Sequence, residues 1–163
     1  MKSKTLATWI ALLAGALGLH RFYLKGWRDA WGWLHVPFTV LGLVGLDRVD
    51  QLGQDDRLAW LLVPWLGLSL ATAMLCAIVY GLTPDDTWNL KHNPAGPPSP
   101  PGGWGAVIGV VLALLVGATL LISTIAYSVQ HLMEIQVESE RRAARSPPAA
   151  EVAKPPPLTS RPG

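Results

Sequence analysis

The sequence predicts an all-α, multi-pass membrane protein with four transmembrane helices, arranged as two hairpins, and a disordered Pro-rich C-terminal tail. Three observations carry that prediction. First, Leu58 to Leu82 and Trp104 to Gln130 contain no Asp, Glu, Lys or Arg. Each exceeds the roughly 20 residues that cross a hydrocarbon core. Second, two shorter apolar segments, Thr5 to Leu19 and Ala30 to Leu46, precede them. Third, Pro and Ala dominate from Ser146 onward, a composition that cannot bury enough apolar surface to fold.

The elements follow in order. Thr5–Leu19 is uncharged, but as a helix it reaches only about 22 Å. It must borrow flanking residues, thin the bilayer or enter without crossing. Lys4 can snorkel at one end and Arg21 at the other. Lys2 and Lys4, the apolar run Leu6–Leu13 and Ala14-Gly15-Ala16 also have the outline of a signal peptide, which competes with a retained helix. His20 to Asp29 is the first turn. Ala30–Leu46 is near the lower limit for a span, and Pro37 kinks it or starts a helix within it. Asp47–Arg57 holds four acids and two arginines and belongs in water. Thr83–Gly103 ends in the proline-rich loop 93–103, expected to be extended and solvated because proline has no N–H to donate. Trp9, Trp27, Trp31, Trp60, Trp88 and Trp104 are expected at headgroup level. Met133–Arg145 mixes Glu and Arg, and continues the last helix into water. The chain thus divides into a hairpin at 4–50, a second at 58–131, and a polar extension with its tail at 132–163.

Small residues recur every four positions on the two long spans. Ser69, Ala73, Ala77 and Gly81 line one face of the third; Gly105, Gly109, Ala113 and Gly117 line one face of the fourth. Such ridges let backbones approach closely in membranes. An antiparallel hairpin puts them at matching depth, Gly81 near Gly105 and Ser69 near Gly117. Ala7, Ala11 and Gly15 make a shorter ridge on the first segment.

The chemistry is sparse. A net charge of +2 gives no basis for nucleic-acid binding. No acid lies within a span, which argues against cation-coupled transport. No catalytic motif, cofactor loop or cysteine pair is present, so no enzyme activity, no cofactor and no metal are expected. His20, His35, His92 and His131 lack ligand spacing along the chain and read as interfacial or hydrogen-bonded histidines. The informative group is His20, Arg21, Phe22 and Tyr23, a basic-aromatic turn between apolar segments. Its guanidinium can bind lipid phosphate, cap helix carbonyls or pair with Asp29 or Asp47.

Gly15-Ala-Leu-Gly-Leu-His-Arg-Phe-Tyr-Leu24 resembles the signature of the TM-two (two-transmembrane-helix) domain family, whose bacterial members are called NINE proteins. His20, Arg21 and Phe22 match the family's His/Asp-Arg-Phe triplet, and Tyr23 and Leu24 match its continuation. The family's glycine after that leucine comes one residue late here, at Gly26, and its tryptophan near the end of the second helix is missing. The resemblance covers residues 4 to 50. It implies a multi-pass protein of the bacterial inner membrane with no established reaction. It also implies a cytosolic triplet, whereas the Lys/Arg count over the whole chain favours both termini inside and the turn outside. The function expected is interaction or structural support through the turn and the tail. The partners are the bilayer and another membrane protein or a second copy. The alternative is lipid or small-solute binding between the hairpins.

Overall fold

The computed structural model describes residues 1–145. It forms α1 (Lys4–Ala14), a 3-10 turn (Gly15–Leu17), α2 (Leu19–Lys25), α3 (Ala30–Leu52), α4 (Arg57–Leu82), α5 (Asp85–His92) and α6 (Gly103–Arg145). There are no strands among the described residues. The expected tail from Ser146 lies outside them. Two helices, α4 and α6, are long and apolar enough to cross a membrane.

The first segment departs from the expected four-span plan. Its helix stops at Ala14, and the chain reverses through Gly18, whose φ is +72°. Only glycine takes that conformation without cost, and a Cβ there would lie 2.2 Å from the Gly32 carbonyl oxygen. The short α2 then runs back alongside α1. Tyr23 Oη accepts from the Ser3 N–H at 2.8 Å, and Lys2 Nζ donates to the Leu24 carbonyl. So α1 and α2 begin and end at one end of the molecule, the proximal end. The ends of α4 and α5 and the start of α6 join them there. Lys4 Nζ donates to the Thr83 carbonyl, and Thr5 Oγ1 to that of Gly102, both at 3.0 Å.

The contacts give each helix its direction. In α3 and α4 the chains are antiparallel, with Gly42 against Leu66 and Gly45 against Leu62 and Val63. Helix α4 is antiparallel to α6, with Gly81 against Val110, Gly117 against Met74 and Gly67 against Thr124. Helix α1 is parallel to α6, with Thr5 at Gly105 and Thr8 at Gly109, and antiparallel to α4, with Gly15 at Ala73. Between α4 and α6, α1 therefore occupies the proximal half of their groove. Ala7 and Ala11 on α1 have no exposed surface, so α1 is a core element of the fold.

Part of each small-residue ridge has a different neighbour from the one expected. Ser69 meets Thr39 and the Ala16 carbonyl rather than Gly117. Gly105 and Gly109 receive threonines of α1. The physical reason is α1 itself. The ridges match in depth and still meet at Gly81, Gly117 and the cluster of Ala73, Ala77 and Ala113, but the wedge takes Gly105 and Gly109 on α6 and packs on Ala73 of α4.

The second unit, from Val129, is the end of α6. Its described part is a single helix, exposed except at His131, carrying local pairs: His131 to Glu134 at 3.2 Å and Arg142 to Glu138 at 3.1 Å.

Candidate functional site

The basic-aromatic turn is built into the fold rather than displayed. Arg21 clamps Asp29, Nε to Oδ2 at 2.5 Å and a terminal nitrogen to Oδ1 at 3.3 Å. Asp29 is also the N-cap of α3, accepting from the Gly32 N–H at 3.1 Å. The hydrogen bond from Arg21 holds the Asp29 carboxyl below its ordinary range. Phe22 packs on Gly32 and stacks on Trp27, ring centres 5.0 Å apart. Tyr23 holds the N-terminus. Of the options open to Arg21 in the sequence, the geometry selects Asp29.

His20 is different. It is fully buried, and neither ring nitrogen has a hydrogen-bond partner. The expectation of an interfacial or hydrogen-bonded histidine is corrected here, because α2 folds back and turns His20 inward. Its ring lies 5.4 Å from that of His35 on α3 and 5.8 Å from that of Tyr80 on α4. His35 Nδ1 meets the Trp31 carbonyl at 2.9 Å, and its buried Nε2 is unpartnered. Fifteen residues separate the two histidines in sequence, so no local spacing announces the pair.

The 3-10 turn below His20 reaches the thirteenth of the 26 residues of α4, which is Ser69. The Ala16 carbonyl accepts there from Thr39 Oγ1 at 2.6 Å, and Thr39 and Ser69 share a hydrogen bond at 3.0 Å. A carbonyl freed by the break in the helix is thereby satisfied deep in the bundle.

The proximal end is also tied down. Lys4 Nζ lies 2.6 Å from Asp85 Oδ1. Trp88 is buried, donating to the Lys2 carbonyl at 2.8 Å. The proline-rich loop is pinned rather than free: Asn89 Oδ1 accepts from both the N–H and the hydroxyl of Ser99. An open cleft of about 430 Å³ is lined there by Lys4, Gly81, Gly103, Trp104, Ala106 and Val107. Its charged lining residue, Lys4, is already taken by Asp85. No group of three or more His, Cys, Asp or Glu that could hold a metal occurs among the described residues.

A second copy of the clamp lies 27 positions on. Arg48 holds Asp56 through Nε to Oδ2 at 2.6 Å and a terminal nitrogen to Oδ1 at 3.0 Å, and Asp56 caps α4 through the Ala59 N–H at 3.1 Å. Gly26 and Gly53 close α2 and α3 with φ of +83° and +87°. Trp33 and Trp60 each donate their indole N–H to the carbonyl six residues earlier. The sequence carries the same register: Gly-x2-Gly-Leu-x-Arg-x4-Gly-x2-Asp-x3-Trp-Leu-x-Val-Pro, from Gly15 to Pro37 and again from Gly42 to Pro64. A helix–turn–helix unit is thus present twice, sharing α3. A search for internal periods is the signal that finds it. Reading each apolar segment by itself hides it, because the first copy breaks at Gly18 and the second runs straight through its counterpart, Gly45. No family model, no curated protein and no solved structure matches the chain.

Proposed function

We propose that this is an integral membrane protein with three crossings, α3, α4 and α6, and a re-entrant α1–α2 pair. Its role is structural or interaction-based rather than catalytic. The observation that carries the reading is exposure. Only 22% of the apolar window of α4 and 17% of that of α6 is buried inside the protein. A core helix of a soluble protein would bury most of it, and large exposed apolar surfaces require another apolar phase. Helix α3, 23 residues long, is less apolar but lies antiparallel along α4. A short helix, a break and a short return fit a re-entrant segment, whose irregular backbone is tolerated where protein buries it.

In this reading the Arg21–Asp29 and Arg48–Asp56 clamps staple turns on opposite faces of the bilayer, and the His-Arg-Phe-Tyr motif serves the fold. Contacts with another membrane protein or a second copy run through the polar extension of α6, from Glu134 to Arg145. The motif at His20–Leu24, together with its partial recurrence at Asp47-Arg48, supports kinship with the TM-two family and a bacterial inner-membrane setting.

Topology labelling tests the reading. In a Cys76→Ser background, single cysteines at Arg28, Gln54 and Ala95 are probed in sealed vesicles with an impermeant maleimide, beside an N-terminal tag. The tag, Arg28 and Ala95 should react from one face and Gln54 from the other. A tag and Arg28 on opposite faces would restore the four-span plan and end this one.

A further inference from the structure

We infer that His20 and His35 form a binding site for a soft monovalent metal ion of the Cu(I) class. Two neighbouring rings, 5.4 Å apart, carry three buried nitrogens with no hydrogen-bond partner: both of His20 and Nε2 of His35, of which one from each ring would ligate. Leaving such groups unsatisfied is costly in an apolar interior, so a partner is expected.

The chemistry narrows the occupant. Zinc takes four ligands, and no third His, Cys, Asp or Glu joins the pair among the described residues. A divalent ion between two neutral imidazoles would carry two uncompensated charges into low dielectric, and a monovalent ion carries one. The neighbouring guanidinium, Arg21, is paired with Asp29, which offsets part of its repulsion of the ion. Imidazole is a good ligand for copper. Two rings bound end-on to one ion at about 2 Å each would sit roughly 6 Å apart, centre to centre. They stand 5.4 Å apart now, so binding asks for a small outward movement and a rotation out of the present edge-to-face arrangement.

The duplicated unit adds an independent argument. The second copy has Asp47 in place of His20 and Leu62 in place of His35. The shared clamp and turn form in the second copy with neither histidine, and the first copy differs at both positions at once. The two residues that face each other are therefore specific to one copy, the copy that folds back at Gly18.

Silver(I), the redox-inert counterpart, is the probe. Full-length protein in detergent is titrated with Ag(I) against a competing chelator, and the silver environment is read by X-ray absorption. The expected result is one ion per chain with two nitrogen neighbours and no sulfur. His35→Leu, which installs the residue of the second copy, should weaken binding at least tenfold with helicity by circular dichroism unchanged. His20→Asn should do the same. No stoichiometric binding in the unmodified protein overturns the assignment. So does a sulfur neighbour from Cys76 or a methionine, or affinity unchanged in both variants. The absorption spectrum of the unmodified protein decides the matter even if a variant fails to fold.

Discussion

Arg21 and Asp29 do two jobs with one contact: they close the turn between α2 and α3 and cap α3. Asp29→Ala removes the cap, worth about 1 kcal/mol, and strands the guanidinium. The unfolding midpoint should fall, and Asp56→Ala should lower it in the same direction through the second clamp. Thermal melts of the two single variants and the double would show near-additive losses, because the clamps share no partner. A neutral Asp29→Ala would mean that the clamp does not hold the turn. At this scale much was legible. Arg21 was an anomalous cation with Asp29 among its possible partners, and only geometry could choose. His20 was not legible, since burial of its ring depends on a chain reversal set by the backbone of Gly18. The sequence shows that glycine only as one among sixteen.

The helices are held by small residues at close approach, and different glycines guard different pairs. A side chain on Gly109 would meet Thr8 Cγ2 at 2.8 Å, on α1; one on Gly117 would meet Met74 Cβ at 2.7 Å, on α4. Gly109→Leu should therefore expel α1 and leave the α4–α6 contact. Gly117→Leu should part α4 from α6. Labelling of a cysteine at Thr8 separates them, rising steeply in the first variant and much less in the second. Equal exposure in both would show that the three helices move as one. The proximal end of α1 has its own lock, Lys4 with Asp85. The hydrogen bond from Lys4 lowers the Asp85 pKa below the ordinary 3.8. A depressed carboxylate stabilises the folded form fully above its unfolded pKa, and that contribution is lost as pH falls through the folded value. Protection against hydrogen exchange at the start of α1, relative to the intrinsic amide rate, should thus be unaffected by this pair's titration from pH 8 to about 5 and should fall below about 4. Asp85→Asn should show the faster exchange already at neutral pH. The small-residue ridges were visible in sequence at four-residue spacing. Their partners were not, because spacing gives a face and a depth but does not reveal a third helix competing for the same groove.

Over the whole molecule, helical class and the two long apolar helices could be read from charge-free length alone. The division at residue 50 falls inside a repeated unit that the apolar segments alone do not show. The chain is organised by a unit that ignores it, α3 being both the end of one copy and the start of the next. The break at Gly18 also hid the true path of the first segment. Its apolar content suits a membrane segment, but the chain turns back at Gly18, at that segment's end, and α2 returns along α1.

The shared α3 has a consequence for parity. A unit that reuses its neighbour's helix adds one long helix per copy, not two. In the three-crossing reading, gaining or losing one 27-residue copy therefore changes the crossing count by one. Everything after α4, including α5 and the pinned proline loop, would emerge into the opposite compartment. Insertion of one such length flips the sidedness of the rest of the chain without altering a residue in it. The number of copies, rather than the charge of any single loop, is then the variable that addresses the later segments to their side of the membrane.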